Sequence, residues 1–259
     1  MPSKPNVIAI VNQKGGVGKT TTAINLGAAL ARSGRNVLLV DLDPQGNAST
    51  GLGLFPENRE ATTLDLLQGH KPDETVSATN VPSLWIVPST TDLAGADVML
   101  SSKSRRSYLL RDALAHKALA RFSFDYILVD CPPSLSILTV NALVAADSVI
   151  VPLQSEFFAL EGLSQLMLTI RDVREAANPA LRIRGIVLTM FDRRNNLSQQ
   201  VEADARGNLG DLVFQTKIPR NVRLSEAPSF AMPVLDYDPN STGSQAYQEL
   251  AAELLAQEA

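Results

Sequence analysis

Short, unbroken apolar runs recur along this chain and alternate with longer stretches in which apolar residues return every three or four positions. The runs are residues 7–11 (VIAIV), 36–40 (NVLLV), 84–87 (LWIV), 126–129 (YILV), 148–153 (SVIVPL) and 186–190 (IVLTM). They are short, rich in Val and Ile, and bounded by polar, Gly or Pro positions, which predicts strands buried on both faces. Helical spacing occupies residues 20–32, a short piece within 61–81, and much of a long mixed segment reaching Phe122. It returns over 135–145, 157–177, 198–207 and 245–257. Strands alternating with helices predict an α/β fold: a doubly wound, mostly parallel sheet with helices on both faces. No repeat, low-complexity tract or linker divides the chain, so residues 1–259 are expected to form a single domain. In such a sheet ligands bind beyond the carboxyl ends of the strands. Three polar motifs follow strands in that position.

The first motif is Asn12-Gln13-Lys14-Gly15-Gly16-Val17-Gly18-Lys19-Thr20-Thr21, set between the first strand and the first helix. Its glycines let backbone N–H groups turn inward around a polyphosphate, and the helix N-terminus adds the positive end of its dipole. The strand–loop–helix context marks a phosphate-binding loop. Gly15, Gly16, Val17 and Gly18 would line the phosphates, with Thr21 beside them. Lys19 would reach the β- and γ-phosphates, and the Thr20 hydroxyl would ligate Mg²⁺. Against the general G-x-x-x-x-G-K-[ST] pattern, Gln13 stands at the first glycine position and an extra lysine, Lys14, follows it.

The second motif, VDLDPQGN over 40–47, closes the second strand with Asp41 and Asp43, spaced to share one face of an extended segment. Such a carboxylate can hold Mg²⁺ or its water, or it can orient the attacking water. The third, ILVDCPPS over 127–134, is an apolar strand ending in Asp130. A carboxylate at that strand tip can hold Mg²⁺ directly or through water. Cys131 is expected to be a buried structural thiol, and His70 and His116 have no motif around them.

The KGGVGKT form resembles the deviant Walker A motif of the ParA/MinD group of P-loop ATPases, and VDLDPQGN and DCPPS resemble that group's switch I and switch II segments. The resemblance extends to IPRNVRLSEAPS over 218–229, on composition alone a polar loop, and to TMFD over 189–192. It covers residues 7 to about 247 and points to the chromosomal-type ParA branch. The resemblance implies that Lys14 reaches across a dimer interface to the nucleotide of the other subunit. It also implies that Asp43 orients the hydrolytic water, that Asp41 sits near the metal, and that Pro219 and Asn221 lie by the nucleotide base. Arg194 and Arg223 correspond to arginines associated in that family with sequence-independent DNA binding, a role guanidinium groups can fill by engaging phosphates. The implied protein is a slow ATPase that forms a homodimer with ATP, binds nonspecific double-stranded DNA and is stimulated by a ParB-type adaptor. Lys14, Lys19 and Asp43 would be its catalytic residues. Only six residues precede the first strand, so the plasmid forms with an N-terminal helix-turn-helix are not expected.

Composition narrows the alternatives. The net charge of −4 over 259 residues gives no global case for a polyanion, so DNA would have to meet a local patch. Basic residues cluster over 103–121, at Arg182, Arg184, Arg193 and Arg194, and at Lys217, Arg220 and Arg223, and none follows Arg223. A MinD-like membrane-positioning ATPase would end in a basic amphipathic helix, whereas residues 251–258 are apolar and acidic. An iron–sulfur cluster shared by a dimer needs four thiolates, and one cysteine per chain supplies two. A small-molecule kinase or ligase stays open on motifs alone. No leader-like stretch or long apolar span is present, so a cytoplasmic protein without a membrane anchor is the expectation, and the resemblance implies that it is nucleoid-associated.

Overall fold

The computed structural model describes residues 4–156 and 159–258. Eight strands form one sheet: β1 (Asn6–Ile10), β2 (Val37–Asp41), β3 (Ser77–Ala78), β4 (Leu84–Val87), β5 (Tyr126–Asp130), β6 (Ser148–Gln154), β7 (Arg182–Phe191) and β8 (Val213–Pro219). Their order is β3-β4-β2-β5-β1-β6-β7-β8. All neighbours run parallel except β3, which lies antiparallel to β4. The helices are α1 (Lys19–Arg32), α2 (Asn47–Gly51), α3 (Thr63–Gln68), α4 (Ala96–Met99), α5 (Leu109–Leu114), α6 (Ile137–Ala145), α7 (Ala159–Ala176), α8 (Asn196–Leu209), α9 (Val222–Glu226), α10 (Val234–Tyr237) and α11 (Thr242–Ala256).

The unbroken apolar runs follow from burial on both sides of the sheet. Side chains alternate along a strand, so Val7 and Ala9 of β1, Leu38 and Val40 of β2, and Ile127 and Val129 of β5 face one apolar layer. Ile8, Ile10, Val37, Leu39, Tyr126 and Leu128 face the other. Helices α1 and α11 cover the second layer, packing against each other, while α6 and α7 lie on the first. Eleven of the fourteen residues of α1 are buried, which fixes the loop before it relative to the sheet.

Several sequence expectations are corrected here. Residues 213–219 form an unanticipated edge strand. VFQTKIP carries Gln, Thr and Lys because an edge strand is partly wet, with the burial of Gln215 to Lys217 incomplete. The 218–229 segment is not simply a loop: it contains the end of β8, the helix α9 and a 3₁₀ turn at Ala227–Phe230. The mixed segment before Phe122 breaks into α4, α5 and three 3₁₀ turns. Of the helix expected over 157–177, α7 occupies Ala159–Ala176, while Phe157 and Phe158 lie outside the described residues.

Candidate active site

The loop 11–18 leaves β1 at the centre of the sheet and enters α1 through Gly18. Gly16 and Gly18 have φ of 73° and 87°, a left-handed backbone that is costly for residues with a Cβ. These two turns aim the loop's N–H groups inward. No side chain caps α1, and no acidic residue stands in its first turn. The helix therefore presents free N–H donors and its positive dipole end to the space beside the loop. A Cβ on Gly15 or Gly16 would meet nothing within 4 Å, so that space is open. The loop itself is anchored from below. Asn12 donates to Pro152 O at 2.7 Å and accepts from Lys14 N at 3.0 Å. Thr189 at the end of β7 donates to Val17 O at 2.9 Å.

Lys19 is buried, with its Nζ donating to Lys14 O at 2.9 Å. Burial lowers its pKa, and the nearby Asp130 opposes that shift. Asp130 ends β5 beside Asp41 of β2, its register partner. It is fully buried, and among the described residues neither carboxylate oxygen has a hydrogen bond of good geometry, the Thr20 hydroxyl being no more than a loose neighbour. Burial, then Asp41, raises its pKa well above the ordinary carboxylate range, with Thr20 and Lys19 opposing. An unpartnered buried carboxylate is costly; a divalent cation held between it and the Thr20 hydroxyl would relieve that cost. Among the described residues no cluster of three or more His, Cys, Asp or Glu could hold a metal alone. Mg²⁺ in such sites takes one or two carboxylates plus phosphate and water, so the donor set fits that ion with a nucleotide.

Asp41 is engaged differently. Its Oδ2 accepts from Ser49 N at 2.9 Å and from Ser49 Oγ at 2.6 Å, and its Oδ1 from Asp43 N at 3.3 Å. It ties α2 to the sheet, and burial pushes its pKa up to about 6. Asp43, next along, accepts from Gln45 N at 3.0 Å through Oδ1, and among the described residues no hydrogen bond uses its Oδ2. Cys131 is a buried free thiol whose pKa is raised by burial and by Asp130, matching its structural expectation. Lys14 is exposed, with Nζ 2.7 Å from Glu156. Both side chains are more than two-fifths exposed, and such a pair contributes at most about 1 kcal/mol, too little to hold Lys14 in place.

The chain matches the AAA domain family AAA_31 over residues 5–183. It is 58% identical over 254 residues to the chromosome partitioning protein ParA of Caulobacter vibrioides (strain NA1000 / CB15N), covering 97% of this chain and 94% of that protein. To the sporulation initiation inhibitor protein Soj of Bacillus subtilis (strain 168) it is 49% identical over 251 residues, covering 96% and 98%. The chain belongs to the ParA family of chromosome-partitioning ATPases. A solved structure named cobyrinic acid a,c-diamide synthase from Mycobacterium smegmatis, with bound ATP analogue and magnesium, superposes at a TM-score of 0.86. It is 39% identical, covering 98% of this chain and 95% of that one.

In this ParA-family ATPase a cavity of about 390 Å³ opens beside the phosphate loop, lined by Gly18, Thr21, Met190, Pro219, Asn221 and Leu224 among others. Pro219 and Asn221 thus reach the loop through β8, an element the sequence did not announce. Asn221 is already occupied: Oδ1 caps α9 by accepting from Arg223 N at 2.8 Å, and Nδ2 donates to Thr242 Oγ1 at 2.7 Å.

The basic groups divide sharply. Arg194 is exposed at the carboxyl end of β7 and, among the described residues, its side chain makes no ion pair or hydrogen bond. Arg223 is held by Glu226 at 2.8 Å and Asp238 at 3.3 Å. The 103–121 group is largely committed elsewhere. Lys103 donates to Leu67 O and Gln68 O, Arg105 and Arg111 pair with Asp112, and Arg121 pairs with Asp73. Arg111 and Lys117 also line a cavity with Val7 and Ile127, near the amino ends of β1 and β5, away from the phosphate loop. Sequence reasoning missed Ser49 and Thr189 as anchors and gave no role to Arg59 or Glu156. Ser49 lay two residues past the second motif, but nothing nearby marked Arg59.

Proposed function

We propose that this ParA-family ATPase is an ATP-dependent dimerising switch that binds nonspecific double-stranded DNA and drives chromosome or plasmid partitioning with a ParB-type adaptor. The observation that carries the nucleotide half of this reading is one convergence. An uncapped helix N-terminus, a buried Lys19 and the unpartnered Asp130 carboxylate meet at a glycine loop. Mg²⁺, when bound with ATP, would neutralise phosphate charge. Gly15, Gly16, Val17, Gly18, Lys19, Thr20 and Thr21 would hold the phosphates of the chain's own nucleotide, Lys14 those of the partner's, and Pro219 and Asn221 would flank the base. Thr20 and Asp130 would hold the metal. Asp41, its carboxylate taken up by Ser49, would act mainly by fixing α2. Asp43 would orient the attacking water, and Lys19 would steady the charge that develops on the phosphate. Lys14, loosely held at the surface, would cross to the partner's nucleotide.

Arg194 is free to engage phosphates, while Arg223 would first have to leave Glu226 and Asp238. Nucleoid association follows from DNA binding. The MinD-like alternative is disfavoured because the apolar face of α11 is packed into the core, with Tyr247, Leu250 and Leu254 buried. Among the described residues no helix is long and apolar enough to cross a membrane.

The test is binding to random-sequence duplex DNA with ATP, ADP or no nucleotide, each across a salt series. ATP-dependent binding that weakens steeply with salt is expected; no binding in any state rejects the DNA half. Hydrolysis that responds to cobyrinic acid and not to DNA would instead favour the activity named for the M. smegmatis structure.

A further inference from the structure

We propose that Arg59 is a positioning residue for ATP hydrolysis, acting by clamping the turn that carries Asp43. This rests on the reading of Asp43 as the water-orienting group.

Arg59 follows a 3₁₀ turn at Pro56–Asn58 whose residues are exposed, but its own side chain folds back and is half-buried. Its Nε donates to Leu54 O at 2.9 Å and its Nη1 to Ser89 O at 2.6 Å. Its Nη2 donates to Thr50 Oγ1 at 2.7 Å and to Gly46 O at 3.3 Å. Three separate pieces of backbone are thereby joined: the turn after Asp43, the segment leaving α2, and the chain leaving β4. Among the described residues no carboxylate pairs with this guanidinium. Its donors are spent on carbonyls and a hydroxyl, which fixes backbone, while the Asp41 and Glu57 charges act on it only through space.

The contact with Gly46 is close. At φ 62°, a Cβ on Gly46 would lie 2.4 Å from Nη1 and 2.9 Å from Ser89 O. Gly46 N in turn donates to Asp43 O at 2.9 Å, so the clamp acts on the same tight turn that sets the Asp43 carboxylate. A second path reaches the strand below. Ser89 N donates to Ser49 Oγ at 3.0 Å, and Ser49 Oγ donates to Asp41 at 2.6 Å. Arg59 therefore closes a ring of hydrogen bonds around residues 41–54. Three different nitrogens, Nε, Nη1 and Nη2, meet these acceptors, whereas a lysine carries all its donors on one nitrogen and lacks that planar fork.

The experiment measures hydrolysis and nucleotide affinity for the full chain with Mg²⁺ and DNA, comparing Arg59→Ala, Arg59→Lys, Asp43→Ala and the double Ala variant. Both Arg59 variants are expected to lose about tenfold to a hundredfold in kcat, the scale of a misplaced catalytic group. ADP affinity should stay within about threefold, less than one hydrogen bond's worth. Guanidinium ion at sub-denaturing concentration should restore part of the Arg59→Ala rate. In an Asp43→Ala background, removing Arg59 should cost less than about twofold more, because residues acting as a unit are not additive. Wild-type kcat in Arg59→Ala, or full multiplication of the two losses, overturns the proposal. Wild-type turnover in Asp43→Ala removes the Asp43 reading and this one with it. Should Arg59→Ala fail to fold, Thr50→Val removes one acceptor while keeping shape. It should cost about twofold to tenfold in kcat, and an unchanged rate there counts against the clamp.

Discussion

Asp41 and Asp130 sit side by side at neighbouring strand tips, both fully buried, and their different partners give them different roles. Among the described residues Asp130 has no hydrogen bond of good geometry, which leaves its oxygens open to a cation, whereas Asp41 spends its oxygens on Ser49 and the Asp43 backbone. Burial still raises the Asp41 pKa to about 6. An acid whose folded pKa exceeds its unfolded value of about 4 binds more protons when folded. Stability is therefore lost as pH rises from about 4 through about 6, and the penalty is complete above that window. Between pH 5 and pH 7 the cation-free protein should lose unfolding free energy, and Asp41→Asn should lose less, the buried Asp130 beside it contributing with the same sign. Urea unfolding at the two pH values checks this; equal pH dependence in both proteins contradicts it.

At the scale of elements, the two arginines singled out from sequence sit on different supports. Among the described residues Arg194 leaves the end of β7 with no side-chain partner, while Arg223 on α9 makes two exposed ion pairs, with Glu226 and Asp238. Arg194→Ala should weaken DNA binding and lower the salt slope by about 1. Arg223→Ala should do the same only if Arg223 leaves those two carboxylates in the ATP state. Removing Glu226 should then tighten DNA binding, and fluorescence anisotropy across a salt series reads all three effects. The strands β1, β2, β5 and β6 were legible because burial on both faces leaves a sequence no choice but unbroken apolar runs. The edge strand β8 was not legible, because a strand wet on one side tolerates Gln, Thr and Lys. The segment before Phe122 was misread for a related reason: its short turns bury isolated leucines without keeping a helical period over any length.

For the whole molecule, the reading requires two copies. Lys14 is exposed and, among the described residues, its side chain is held by an exposed ion pair alone, so breaking that pair to reach a second subunit's nucleotide costs little. Lys14→Ala should abolish ATP-dependent dimerisation while leaving ADP binding by the monomer within about threefold, since no direct hydrogen bond to a monomer's own nucleotide is being removed. Asp43→Ala should instead accumulate the ATP dimer. Sedimentation velocity with ATP and ADP distinguishes them; dimerisation of Lys14→Ala at wild-type ATP concentrations would remove the trans role.

The sequence by itself determined the fold class, the phosphate loop and the identity of the strand-tip carboxylates. Each depends on local rules: period, glycine backbone freedom, and a polar residue ending an apolar run. Only the tertiary structure decided how those carboxylates divide their work. It brought Pro219 and Asn221 to the loop through an edge strand, left Arg194 without an ion pair among the described residues while pairing Arg223 with two carboxylates, and turned Arg59 inward onto Gly46, Thr50 and Ser89. Those outcomes depend on which distant groups compete for a donor or an acceptor. That competition is settled only when residues dozens of positions apart are packed within hydrogen-bonding reach of one another.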